Sequence, residues 1–431
     1  MLYPNLSVNK AGHLAIAGID ACELAKKYGT PLYVLDENRV RHNCRLYTKA
    51  MKAYLPQGSM PLYASKALCF KGIYPVVADE GLGADVVSAG EVATAIRAGF
   101  PAENLCFHGT NKTDAEIAYG VEQGVGHFVV DNANELAVLG KEAQARGIVQ
   151  RVLLRVTVGL DPHTLEAINT GRVDSQFGVP IETGQALRFV REALNTPGIE
   201  VEGFHSHIGS QIFEATSFCD QVDRLLAFAC SVREELGYEA GIFNLGGGFG
   251  VRYVEDDPQV DIDENIYQIA QHLEAGCAHA NYPMPRVFLE PGRSIVADAG
   301  VTLYTTGGTK TVEGYRSYVT VDGGMTDNPR YALYKSAYTL VNASRAQEPA
   351  DFPCTVAGRC CESGDRIAED IRIAQPKRGD VIAVLTTGAY NFAMSSNYNR
   401  VLRPALVMIF NGAVRVAVRR QTIDDLLALE Q

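Results

Sequence analysis

Between residues 60 and 300 the chain repeats one unit: a short apolar run, a loop, then an amphipathic stretch. The apolar runs are Pro61–Ser65, Ala84–Val87, Leu105–Phe107, Phe128–Val130, Val152–Val158, Val201–Phe204, Ile242–Leu245 and Val287–Leu289. The seven segments between them carry helical signals. Val222, Leu225, Leu226, Ala229, Val232 and Leu236 fall on one face of a helix beginning at Ser217. Thr113-Asp114-Ala115-Glu116 reads as a capping box. Asn132 is expected to cap a helix over Glu135–Arg146 that Gly147 stops. Short strands that are apolar on both faces need cover on both faces, which crossover helices give a parallel sheet. Eight such units in ~240 residues fit a closed (β/α)8 barrel better than an open doubly wound sheet.

After about residue 301 the pattern changes. Ser317–Val321, Val381–Leu385 and Leu406–Phe410 are strand-like runs separated by Gly and Asn turns, and Thr422–Leu429 is the one helical stretch. Pro31–Leu35 is a ninth apolar run ahead of the eight. The expected fold class is therefore α/β: a (β/α)8 TIM-like barrel over 36–300, and a mainly β C-terminal domain over 301–431 that also takes in the N-terminal segment 1–35.

Composition narrows the function classes. With 47% apolar and 21% charged residues in 431, a large core can be buried and global disorder is excluded. A formal charge of −11 opposes nucleic acid or an anionic membrane as partner. No apolar run reaches the ~18 residues of a membrane span, and the start, MLYPNLSVNKAGHLAIAG, lacks the pattern of a secretory signal. The ten cysteines are scattered, with no Cys-x-x-Cys and no zinc-like Cys/His spacing. A reduced, cytoplasmic location is expected.

In such barrels the chemistry sits at the carboxyl ends of the strands. Here those ends read Ser65-Lys66, Asp85, His108-Gly109-Thr110-Asn111-Lys112, His205-Ser206-His207-Ile208-Gly209-Ser210-Gln211, Gly246-Gly247-Gly248-Phe249-Gly250 and Glu290-Pro291-Gly292-Arg293. Singly, each has a plain explanation: a surface lysine, a helix cap, a tight glycine turn. Together they place six polar strand ends on one rim. The glycines after the seventh strand and the Glu-Pro-Gly-Arg after the eighth occupy the usual phosphate site of these barrels, where bare amides and a helix N-terminus receive an anion. A buried lysine at the first strand can form a Schiff base if desolvation keeps its amine reactive. Lysine plus phosphate cradle points to pyridoxal phosphate. His205-x-His207 is also a metal-hydrolase spacing, but only His108 and Asp85 would complete such a site, and no metal is expected.

These motifs resemble the fold-type III pyridoxal-phosphate enzymes, with an alanine racemase-like barrel and β domain, and among them the diaminopimelate decarboxylase family. The similarity runs over nearly the whole chain. It is carried by Tyr63-Ala-Ser-Lys66-Ala, Asp85-Val-Val-Ser-Ala-Gly-Glu91, His205 to Gln211, Gly246 to Gly250 and Glu290 to Arg293. In the β domain it adds Asp322-Gly-Gly-Met-Thr-Asp-Asn-Pro-Arg330-Tyr-Ala-Leu-Tyr334, Cys360-Cys361-Glu362-Ser-Gly-Asp365 and Gly388-Ala-Tyr390.

The resemblance implies roles. Lys66 would bind the cofactor covalently, Asp85 would belong to its site, and His205 would lie against one face of its ring. Ser210, Gly247, Gly248 and the segment Glu290, Pro291, Gly292 and Arg293, through the amides it has, would take the phosphate. Glu290 would hold a proton on the pyridine nitrogen, making the ring a strong electron sink. A racemase of this fold typically has Arg there, so Glu290 favours decarboxylation. Arg293, Arg330 and Tyr334 would hold the substrate's distal carboxylate, Glu362 its distal ammonium, and Tyr390 would touch cofactor and substrate. Cys361 would protonate the α-carbon after CO2 leaves, with Cys360 only packing. The implied reaction is decarboxylation of meso-2,6-diaminopimelate to L-lysine, the last step of lysine biosynthesis, in a homodimer with shared active sites.

The nearest alternative is a sister decarboxylase acting on ornithine, arginine or carboxynorspermidine, which would not need the distal Arg and Glu set. A catalytically dead homologue would be expected to have lost Lys66 or Cys361, and both are present. Two positions depart from the family pattern: Gln176 within Ser175-Gln176-Phe177-Gly178, often Lys, and Leu68, often Asn. The polar stretch Gly159–Gly178 reads equally as an active-site flap or a surface excursion.

Overall fold

The computed structural model describes residues 3–160 and 174–431. It divides into two compact units. One comprises Asn43–Gly250 and Gln259–Gly292; the other comprises Met1–His42, Val251–Pro258 and Arg293–Gln431.

The first unit is the expected barrel. Its strands are β1 (Met60–Ala64), β2 (Gly83–Val86), β3 (Leu105–Phe107), β4 (His127–Val130), β5 (Gln150–Thr157), β6 (Ile199–His205), β7 (Ile242–Asn244) and β8 (Arg286–Leu289). Each pairs in parallel with the next, and β8 pairs in parallel with β1 through Phe288↔Met60, which closes the ring. Leu62, Cys106, Val129, Leu153, Ile242 and Phe288 pack as one buried cluster contributed by six of these strands, so this level of the barrel is filled by side chains. The pairing of β6 with β5 shifts register between Val201 and Gly203, and on the other side β7 passes so close that a Cβ on Gly203 would lie 1.9 Å from the Ile242 carbonyl oxygen.

The helices follow the sequence signals. The capping box at Thr113 opens a helix over Asp114–Glu122. Asn132 accepts from the Glu135 N–H and caps Ala133–Ala145. The helix expected from Ser217 spans Thr216–Leu236, with Val222, Leu225, Leu226, Ala229 and Val232 buried and Leu236 half-buried.

The second unit is mainly β. Its longest strand, Gly300–Val312, pairs antiparallel with Arg316–Val321, Val381–Leu385 and Leu32–Asp36. Leu32–Asp36 in turn pairs in parallel with Ala405–Phe410. The core of this unit joins Leu14, Ile16 and Leu24 from the N-terminal segment to Val301, Leu303, Ala383, Leu385, Val407 and Ile409. Thr422 is the cap of a shorter helix, Ile423–Leu427. The five-residue helix Arg330–Tyr334 has no counterpart among the expected elements, because one turn is too short to show periodicity.

All ten cysteines are free thiols. Among the described residues no helix is long and apolar enough to cross a membrane. Most of the Gly159–Gly178 stretch lies outside the described residues. Its end is held by Gly178, whose N–H donates to Asp131 Oδ1 at 3.0 Å, and by Phe177, whose ring lies under Arg155 at 4.6 Å.

Candidate active site

The carboxyl ends of four barrel strands meet at Glu290. Asn244, the last residue of β7, donates from Nδ2 to Glu290 Oε1 at 2.6 Å. His205, the last residue of β6, reaches Oε2 with Nε2 at 3.3 Å. His108, just past β3, places Nε2 2.9 Å from Oε1. The two imidazoles meet edge to face, 4.9 Å between ring centroids. Asp85 on β2 completes the group, 3.7 Å from His108 Nε2. All five residues are buried.

Burial and charge pull these groups apart. Burial alone would raise Glu290, but the His108 and His205 imidazoles outweigh it and hold the carboxyl well below its ordinary range. Burial also pushes His205 down to about 4, against the opposing pull of Glu290. At neutral pH His205 is therefore neutral and Glu290 an anion. The hydrogen bond then places the His205 proton on Nε2, and Nδ1 is left buried without a partner. Asp85 is raised, by burial first, with His108 opposing. His108, His205 and Glu290 also have the separation of a metal-ligand set.

Glycines surround this cluster for steric reasons. A Cβ on Gly247 would sit 2.0 Å from the Glu290 carbonyl oxygen, and one on Gly248, at φ +120, 2.4 Å from that of Gly209. The loop after β8 is tied to β1 by the Ala64 N–H, which donates to the Pro291 carbonyl at 3.0 Å. Gly292 packs so tightly there that a Cβ would meet Ala64 Cβ at 2.8 Å. Among the described residues the amides of Gly247, Gly248 and Gly292 have no protein acceptor, so these loops offer bare N–H groups of the kind that bind phosphate. Ser210 follows Gly209 in the same loop and is half-buried. Lys66 lies in the single turn Ser65–Ala67 directly after β1. It is exposed rather than buried as expected, because Ser65 and Ala67 take the inward positions of that turn. Its charge opposes the burial that raises Asp85 and Glu91 and adds to the burial that lowers His207.

The β unit holds a second cluster. Arg293 and Arg330 both donate from Nη1 to the Tyr253 hydroxyl oxygen, at 2.8 and 3.1 Å. Arg330 Nη1 also reaches the Tyr338 hydroxyl at 2.9 Å. The Tyr390 ring, at φ +60, lies 4.8 Å from the Arg293 guanidinium. Tyr334 ends the helix that Arg330 begins, but it is exposed where Arg330 is buried. Cys361 and Glu362 are exposed, and the Cys361 N–H donates to Asn399 Oδ1 at 2.7 Å. Cys360 is half-buried, its thiol pushed up to about 11, first by burial.

Sequence alone marks His108 only as a polar strand end and possible metal ligand, and does not single out Asn244, Tyr253 or Tyr338. His108 and Asn244 carried a usable signal, a polar residue closing an apolar strand. The two tyrosines carried none.

Residues 37–297 match the model of the pyridoxal-dependent decarboxylase pyridoxal-binding domain. The chain belongs to the pyridoxal-dependent decarboxylase family. Its relatives in that family include the diaminopimelate decarboxylase of Bacillus subtilis, 42% identical over 98% of this chain and 96% of that one. The diaminopimelate decarboxylase of Mycobacterium bovis is 39% identical over 99% and 96%. The crystal structure of the diaminopimelate decarboxylase of M. jannaschii superposes with a TM-score of 0.91 at 32% identity, covering 99% of this chain and 98% of that one. A lysine/ornithine decarboxylase of Vibrio vulnificus gives 0.75 at 25%, over 91% and 97%. The family's cofactor is pyridoxal phosphate, and the barrel cluster fits it: bare glycine amides for the phosphate, a buried carboxylate anion for a protonated ring nitrogen, and a lysine at the end of β1.

One titration checks the charge assignment. Imidazole 15N shifts should show His205 neutral, protonated on Nε2 and without a transition between pH 6 and 8. A midpoint near 6.5 would mean that burial does not control this ring.

Proposed function

We propose that the chain decarboxylates meso-2,6-diaminopimelate to L-lysine and CO2, the last step of lysine biosynthesis. The observation that carries the substrate choice is Arg330: a buried guanidinium that no carboxylate pairs with among the described residues. A buried cation without an anion is costly, and a substrate with a second carboxylate supplies one. Ornithine has none to offer at its far end.

Bound pyridoxal phosphate supplies an electron sink for the pair left on the α-carbon as CO2 departs. The chain's own residues do the rest. Lys66 would hold the cofactor covalently. The N–H groups of Gly247, Gly248, Gly292 and Arg293, with the Ser210 hydroxyl, would hold the phosphate; Pro291 has no N–H to give, and that of Glu290 donates to the Gly246 carbonyl at 2.8 Å. His205, neutral and fixed by Glu290, would hold the ring, with Asp85 in the same cluster. Glu290 keeps a proton on the ring nitrogen. Arg293, Arg330 and Tyr334 orient the distal carboxylate, Glu362 the distal ammonium, and Tyr390 closes on both ligands. Cys361 gives its Sγ proton to the α-carbon, which replaces the broken C–C bond by C–H.

Purified chain should release CO2 from meso-diaminopimelate and form lysine, while ornithine, arginine and lysine are poor substrates. Faster release from ornithine would transfer the chain to the sister activity.

The proposed assembly is a homodimer in the cytoplasm, where free thiols persist. The exposure of Cys361 and Glu362 supports a role across a twofold interface, each site combining Lys66 of one protomer with Cys361 of its partner. Lys66→Ala and Cys361→Ala should each be nearly dead alone. Mixed and reassociated, they should recover up to about a quarter of wild-type activity, since half of randomly paired dimers are mixed and each has one complete site. No recovery in proven heterodimers would place each site within one chain.

A further inference from the structure

Tyr253 comes from Val251–Pro258, the short segment that belongs to the β unit although both its flanks belong to the barrel. Its hydroxyl accepts from Arg293 Nη1 at 2.8 Å and from Arg330 Nη1 at 3.1 Å. The two Nη1 atoms are therefore no further apart than those distances laid end to end, and two cations brought so close repel each other. Both guanidinium carbons also lie near the Tyr253 ring, at 5.9 and 5.3 Å from its centroid. Burial would raise this phenol, but the two guanidiniums outweigh it and pull it below its ordinary value.

The tyrosine is itself held on both sides. Its N–H donates to Asp257 Oδ2 at 2.8 Å, its carbonyl accepts from Thr339 Oγ1 at 2.9 Å, and its ring packs edge-on against Tyr338. Arg330 spends only Nη1 on Tyr253 and Tyr338; its Nε and Nη2 have no acceptor among the described residues. That leaves one planar edge with the two parallel N–H groups that suit a carboxylate.

We propose that Tyr253 is a positioning residue for substrate recognition: its hydroxyl oxygen clamps Arg293 and Arg330 together, so that both guanidiniums are set for a single carboxylate before one arrives. Resting on the reading that these arginines take the distal carboxylate, it adds the residue that presets them. Preorganisation of this kind lowers the ordering cost of binding.

L-Lysine and 1,5-diaminopentane separate a carboxylate effect from a general one. Lysine keeps the distal carboxylate of the substrate, and the diamine has none. In the holoenzyme, Tyr253→Phe removes one oxygen and retains the ring. It should raise KM for diaminopimelate and weaken lysine inhibition by roughly 10- to 100-fold, the scale of losing hydrogen bonds to charged groups. Turnover at saturation should change far less, and inhibition by the diamine and the visible cofactor absorbance should be unaltered. Tyr338→Phe, which removes a hydroxyl bonded to Arg330 and Asn391, should have a smaller effect on lysine. Unchanged lysine inhibition in Tyr253→Phe, equal weakening of both inhibitors, or an effect in Tyr338→Phe as large as in Tyr253→Phe would overturn the clamp. Arg330→Ala tests the underlying reading separately. If that variant keeps lysine inhibition, the carboxylate site is elsewhere, whatever Tyr253 does.

Discussion

A single carboxylate, Glu290, organises the mouth of the barrel. It is buried, ionised and shared among side chains from three other strand ends, Asn244 at 2.6 Å, His108 at 2.9 Å and His205 at 3.3 Å. An anion at that depth is tolerable only with such partners. The partners in turn depend on it: burial keeps His205 neutral against the pull of Glu290, and the bond to Glu290 fixes its proton on Nε2. The loop glycines follow from the same crowding, since Gly247 passes so near the Glu290 carbonyl that no side chain fits. Charge state, ring orientation and bare amides are consequences of one arrangement.

The two clusters divide the chemistry. The barrel cluster governs electrons: its anion is suited to keeping a proton on a ring nitrogen. The β-unit cluster is cationic, with Arg293 and Arg330 gathered on Tyr253, and is suited to selecting an acid. Such a division lets substrate preference within a fold family change without altering the cofactor site, consistent with the family's spanning diaminopimelate and lysine/ornithine decarboxylases.

Much of this was legible in the sequence. Strands buried on both faces are uniformly apolar, so all eight barrel strands stood out, and the polar residues closing them marked the rim. The caps at Thr113 and Asn132 were equally local signals. What escaped was non-local or too short. The helix holding Arg330 is one turn long. Lys66 is exposed between buried Ser65 and Ala67, and which positions of a single turn face inward cannot be read from a five-residue motif. Tyr253 meets Arg330 across 77 positions of chain, and nothing in Gly-Val-Arg-Tyr announces that contact.

The central claim is that Glu290 acts through its negative charge, and Glu290→Gln removes that charge while keeping the shape and one oxygen. Single-turnover decarboxylation of diaminopimelate by this variant, measured with bound cofactor quantified by absorbance, is the most direct test. The account predicts near-normal cofactor content, because the phosphate is gripped by the glycine loops. It also predicts a rate reduced by roughly 100-fold or more, the scale of losing one electrostatic stabiliser at a reacting centre. Wild-type turnover with full cofactor would contradict it and leave Glu290 a structural pin for the two histidines.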